Sequence, residues 1–334
     1  MTARHKVIGG VLLLATATLV PLAYTTPAIS SQQTEPQENS FTETLDRMAS
    51  AIEERYPIEA TAHKIADALR SGIRSGAIKI NDGEAFLETT NALMWGAAQD
   101  LHLRLSTEEA IRQRMSRAGG SRVPTMRRVR VPQDGSPLGT TDITSEMLND
   151  TTGLVAISSA IYRNPDLFAD ALGKVKNAQN IIIDLRTVPG GTVPGVLNFI
   201  SHFYDQKTHV YSNASRQFNT PQEVWTEETS LGNDFADKDL YVLTSRRTAS
   251  GAEAISFGLK NTERATLVGE KTAGAGNGGA FMAVGQGLML FLPTMQTINA
   301  KTGEPWEGTG VVPHLEAEAE GALVAALSLI ANNT

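Results

Sequence analysis

The chain has 334 residues, 41% hydrophobic and 19% charged, the make-up of an ordinary globular protein with room for two domains or one large one. Its formal net charge of -7 argues against nonspecific binding to nucleic acid or to anionic membranes. It holds no cysteine, which excludes thiolate catalysis, zinc-thiolate sites, disulfides and cysteine lipidation.

At the N-terminus, Arg4, His5 and Lys6 precede an apolar run from Val7 to Tyr24, and the small residues Thr25, Thr26, Pro27 and Ala28 follow. That is a secretory signal pattern, so residues 1–28 read as a signal peptide and the mature protein as periplasmic or secreted. Gly9, Gly10 and Pro21 make a poor permanent span, and an uncleaved anchor is the one route left to a membrane. Residues 29–40 are a polar linker.

Residues 41–103 carry apolar side chains at helical spacing: Leu45, Met48, Ile52 and Tyr56, then Ala62, Ile65, Ala66, Leu69 and Ile73, then Phe86, Leu93, Met94 and Ala97. Three helices are expected, the third capped by Asn81 or Asp82. Residues 104–149 read as a connector. Its arginines (Arg112, Arg114, Arg117, Arg122, Arg127, Arg128, Arg130) lie among Gly and Pro with no interleaved aromatic, which fits a solvated linker or edge hairpin rather than a nucleic-acid surface. Residues 107–140 are the candidate for a mobile cover.

From 150 to 330 strand-like and helix-like runs alternate. The strands are 153–158, 181–185, 240–245, 265–269, 280–284 and 288–292, and the helices 165–177, 196–205 and 251–261. This alternation implies a layered α/β domain.

The chemistry centres on Thr248-Ala249-Ser250-Gly251-Ala252-Glu253, between a strand and a helix. Ser-x-x-Glu there is a capping box, a purely structural motif. The same turn also exposes unpaired N–H groups at the positive end of a helix, where a serine nucleophile or an oxyanion can be served. Further candidates are Gly190-Gly191 after the strand ending in Asp184-Leu185-Arg186, His102 within the strand-like run Asp100–Leu105, and Glu307 in the turn Trp306–Gly310. Asp184 and Arg186 read as an internal salt bridge. His202 and His209 lack the carboxylate pattern of a metal site, and no cofactor or metal is expected. The run Gly274–Gly279 has little side chain to pack and reads as flexible.

Taken in order, Asp184-Leu185-Arg186 with Gly190-Gly191, Ser250-Gly251-Ala252-Glu253, Val268–Thr272 and Trp306-Glu307-Gly308 with Gly310-Val311 and Pro313 resemble the tail-specific (C-terminal processing) serine peptidases. The helical unit ending in Asp100-Leu101-His102-Leu103 is similar to the subgroup that includes tricorn core peptidase and the interphotoreceptor retinoid-binding protein modules. The resemblance covers residues 41–325. It implies a crotonase-like layered α/β domain behind a small three-helix domain, with 104–149 too short for a PDZ module. It also implies roles: Ser250 as nucleophile, His102 as base and Glu307 as its acid, with backbone N–H groups of Gly251 and of Gly190 or Gly191 as oxyanion hole. The lysine of Ser-Lys members would fall at Ala275, so that dyad is missing, and Lys271 belongs to the preceding strand end. Val188 stands where the family usually has asparagine, which removes a polar anchor from the glycine turn. The implied activity is hydrolysis of peptides or unfolded protein tails through an acyl-enzyme. The alternatives are a noncatalytic binding protein for an apolar ligand or peptide on the same fold, and a processing or scaffold partner in an exported complex.

Overall fold

The computed structural model describes residues 41–79, 82–117, 141–232 and 234–333. The signal, the linker and residues 118–140 of the connector lie outside the described residues.

Three helices form as expected: α1 (Phe41–Arg55), α2 (Glu59–Ser75) and α3 (Gly83–Ala98). Gly76, at φ 70°, closes α2, and Asp82 caps α3 by accepting from the amides of Glu84 and Ala85. Leu45, Met48, Ile52, Ile65, Leu69, Phe86 and Met94 are fully buried between them. A unit this small buries too little apolar surface alone, and its core extends to Leu103, Leu105, Val284, Leu288, Leu290 and Leu292.

The expected boundary at 103 is therefore not a break in packing. The chain continues into β1 (Arg104–Thr107), which pairs with a later strand, and then α4 (Glu108–Arg117). The far end of the supposed connector is also structured: β2 (Ile143–Met147) lies antiparallel on β3 (Thr152–Ile157). Both ends of 104–149 are sheet edges rather than linker.

The α/β layer follows as α5 (Pro165–Gly173), β4 (Asn180–Asp184), α6 (Val193–Ile200), β5 (His209–Ala214), β6 (Gln222–Trp225), β7 (Asp239–Thr244), α7 (Gly251–Asn261), β8 (Ala265–Gly269), β9 (Asn277–Gly285), β10 (Leu288–Ile298), β11 (Leu315–Glu316) and α8 (Ala322–Asn333). One sheet runs β11-β8-β7-β4-β3-β2, parallel except for β2. Residues of β4 alternate between its two faces. Ile181 and Ile183 join the large core with Phe168, Phe199 and Ile255, whereas Ile182 meets Ala322, Ala326 and Ile330 of α8. The second sheet, β1-β10-β5-β6 with β9 on β10, carries the β9–β10 hairpin through Gln286 and Gly287, both at positive φ as a two-residue hairpin turn requires. The turns that follow the C-terminal ends of β4 and β7 meet at Gly191 and Gly251, on the edge of the sheet where ligands bind in parallel α/β folds.

His202, in a single 3-10 turn after α6, is fully buried, and both its ring nitrogens lack a partner among the described residues. Burial pushes its pKa down to about 4. The unfolded chain thus takes up a proton, below the ordinary histidine value near 6.5, that the folded protein refuses. Stability is full above that value and falls as pH drops toward 4. Urea midpoints at pH 7 and pH 4.5 should show the wild type losing on the order of 2 kcal/mol more than His202→Phe.

Candidate active site

Ser250 lies on the turn between β7 and α7 at φ 53° and ψ -118°, a conformation that costs a nonglycine residue about 1–3 kcal/mol. A strained strand-turn-helix corner of this kind lifts a serine hydroxyl clear of its neighbours, as in nucleophile elbows. Surrounding bonds hold it there. Ala249 donates its amide to the Val188 carbonyl at 3.1 Å, and Thr248 donates its hydroxyl to the Leu185 carbonyl at 2.9 Å. The Ser250 amide donates to Glu253 at 2.8 Å, the returning half of the capping box.

Glu253 does more than cap. It is fully buried and also accepts from the Thr272 hydroxyl (2.5 Å) and from the amides of Gly274 (2.7 Å) and Ala275 (2.8 Å). Burial raises its pKa while these donors pull it down. The glycine-rich run expected to be flexible is therefore pinned at its start. The next two amides, Gly276 and Asn277, donate to Glu307 at 2.6 and 2.7 Å.

The glycine turn after β4 is rigid for other reasons. Asp184 and Arg186 form the expected ion pair at 2.6 Å, and Arg186 also donates to the Ala319 carbonyl. Val188 is fully buried in the large core, so apolar packing and its bond from Ala249 replace the missing polar anchor. Gly190, at φ 141°, holds a backbone conformation that side-chain-bearing residues rarely adopt, and a Cβ there would press on Ser250, 3.0 Å from its Cβ. A Cβ on Gly251 would stand 2.6 Å from the Gly191 nitrogen. The two backbones thus touch, and the amides of Gly190, Gly191 and Gly251 donate to no acceptor among the described residues.

His102 is not in a strand. Gln99, at φ 53°, ends α3, and Asp100 holds the following bend by accepting from the amides of His102 and Leu103. Asn91 then clamps β1 through two bonds to Leu105, at 2.9 and 2.8 Å. The imidazole stacks on Phe291 of β10 and places Nε2 2.9 Å from the Ser250 Oγ. Burial pushes its pKa down, the Asp100 charge raises it and Arg104 lowers it.

Glu307 sits on a turn made by Gly308 and Gly310 at positive φ, next to Trp306, which is buried against Phe257. Burial first, then the Asp100 charge, pushes its pKa up to about 8 against the pull of its two amide donors. One oxygen each of Asp100 and Glu307 and one ring nitrogen of His102 lie within 4.8 Å of one another. The His102 Nδ1 is buried without a hydrogen-bond partner among the described residues. Ser250 and His102 are thus in direct contact, and Glu307 is adjacent but not bonded to the ring. His63, His209 and His314 are engaged elsewhere, with Glu53 and Glu59, with Ser212, and with the Leu267 amide. Sequence reasoning did not single out Asp100, although an aspartate just past a helix commonly accepts from the backbone amide two residues on.

With this geometry in place, comparison with known proteins becomes specific. The model of "Peptidase family S41" matches residues 151–317, half of the chain. The chain belongs to peptidase family S41. The matched span holds Ser250, Glu307 and the glycine turn, while His102 precedes it. A carboxyl-terminal-processing protease of Picosynechococcus is 28% identical over 155 residues, 46% of this chain and 36% of that protein. The chloroplastic carboxyl-terminal-processing peptidase 3 of Arabidopsis thaliana is 24% identical over 273 residues, 77% of this chain and 51% of that one. This chain therefore spans about a third to a half of the length of these family members. A putative peptidase from Parabacteroides merdae shares the fold with a TM-score of 0.63 at 14% identity, over 87% of this chain and 96% of its own.

Gly251→Ala tests the backbone contact. The added methyl meets the Gly191 main chain, which has no rotamer to yield, so the cost should be about 1–3 kcal/mol. Thermal unfolding should show a clear drop, whereas Gly173→Ala, with open space at its Cβ, should stay near the wild type.

Proposed function

We propose that the protein is an exported serine peptidase that cleaves peptides or unfolded protein tails through Ser250, His102 and Glu307. The observation that supports it most is the 2.9 Å contact between His102 Nε2 and Ser250 Oγ, beside three amides with no acceptor. A serine hydroxyl needs a base titrating near neutrality, and a buried, uncharged imidazole in hydrogen-bond reach supplies one.

In the reaction, Ser250 Oγ bonds to the scissile carbonyl carbon and its proton passes to His102 Nε2. The oxyanion is met by the amides of Gly251 and of Gly190 or Gly191. The imidazolium then gives that proton to the leaving amine, the C–N bond breaks and an acyl-enzyme remains. Water, deprotonated by the same ring, releases the acid. Glu307, with an oxygen within 4.8 Å of a ring nitrogen, is the acid for Nδ1, which has no other partner among the described residues: its ionised form steadies the imidazolium and fixes the tautomer. Cleavage near a C-terminus is supported by the names of the relatives, and export by the basic, apolar and small-residue pattern of residues 1–28. Among the described residues no helix is long and apolar enough to cross a membrane. A hydroxyl bonded to an imidazole favours the catalytic reading over a carrier of apolar ligands.

A fluorophosphonate probe should label the wild type and fail on Ser250→Ala; label that persists in that variant removes the proposal. His102→Ala should slow labelling by at least roughly a thousandfold. Because the active form needs ionised Glu307, the labelling rate should climb as pH rises through about 8. In Glu307→Gln that limb should disappear and the plateau should fall.

A further inference from the structure

Asp100 has no part in the chemistry above, yet it lies nearer the centre than a turn-forming residue needs to. It is 3% exposed, and one of its oxygens is within 4.8 Å of both a His102 ring nitrogen and a Glu307 oxygen. Its Oδ1 accepts from the amides of His102 (2.8 Å) and Leu103 (3.2 Å). Its Oδ2 accepts from the Tyr56 hydroxyl and from Asn277 Nδ2, each at 2.9 Å. With four donors in place it is a poor metal ligand, although Asp100, His102 and Glu307 have the residue types for one. Oδ1 alone would suffice for the bend. Oδ2 instead joins the residue just after α1 to the first residue of β9, whose amide holds Glu307.

We propose that Asp100 is a positioning residue of the hydrolytic centre. It fixes the His102 backbone, ties the base to the loop that carries Glu307, and sets a second carboxylate beside the ring so that two negative groups stabilise the imidazolium. This rests on the Ser-His-Glu reading given above. The charged and titratable groups around the ring are Asp100 and Glu307 on the acidic side, Arg104 of β1 opposing them, Glu253 behind Glu307, and Tyr56, whose hydroxyl burial and Asp100 keep protonated. Phe291 covers the imidazole with an uncharged face. The Asp100 charge raises the pKa of both His102 and Glu307, so its removal should move both downward.

The experiment is the pH dependence of fluorophosphonate labelling in Asp100→Asn, which keeps the shape and the Oδ1 acceptor but removes the charge. The plateau rate should fall roughly tenfold or more, and the rising limb should move to lower pH by roughly half a unit or more. A merely structural role would cut labelling at every pH in proportion to the folded fraction; a limb that stays in place overturns the proposal. If Asp100→Asn does not fold, Tyr56→Phe serves, since it keeps the charge and drops one Oδ2 donor. Losing that donor lowers the unfolding temperature, so labelling is read well below it, where the variant is folded; there it should label several-fold more slowly, and an unchanged rate overturns the proposal. Label persisting in Ser250→Ala removes the peptidase reading itself. Wild type labelled at Ser250, with Asp100→Asn behaving identically, removes only the role of Asp100.

Discussion

Four consecutive backbone amides, from Gly274 to Asn277, support the centre. The first two donate to Glu253 and the last two to Glu307. A buried carboxylate is costly unless donors surround it, so each acid fixes the loop as firmly as the loop fixes the acid. Glu253 in turn holds the amide of Ser250, which keeps the serine in its strained conformation. Ser250 and Glu307 are thereby linked through one short stretch of main chain. Glycine is required within it for space: a Cβ on Gly276 would stand 2.8 Å from the Glu307 nitrogen.

Much of the layered domain was legible because its signals are local. The runs at 181–185, 240–245 and 265–269 became β4, β7 and β8 within a residue, since buried parallel strands are unbroken apolar stretches bounded by turns. The strands β5 and β6 were missed: β6 has only four residues, mostly exposed, and no clear alternation. The helix α8 was missed as well, although Ala322, Ala326 and Ile330 recur at helical spacing. The candidate site was legible in its residue types and their order. The positions of Ser250, His102, Glu307 and the glycines could be named, but not the distances, because His102 and Ser250 are 148 residues apart.

The flexible reading of 274–279 failed for an instructive reason. Side-chain content indicates how much a segment can pack, whereas here the amides do the holding, and every residue but proline has one. The same blindness hid Asp100, whose four partners include two backbone groups and two side chains distant in sequence. Val188 shows the reverse case. Its departure from the family pattern looked like a lost anchor, and burial in the large core supplies a different one.

The hydrophobic core shared by α1–α3 and the β9–β10 hairpin has a consequence of its own. The imidazole leaves the helical side of that core, while the hydroxyl belongs to the α/β side. His102 is held between helices and hairpin, by the bend after α3 and by its stacking on Phe291 of the hairpin. The candidate site is thus assembled only where both cores are intact, so its geometry reports on the packing of the helices as well as on the α/β layer.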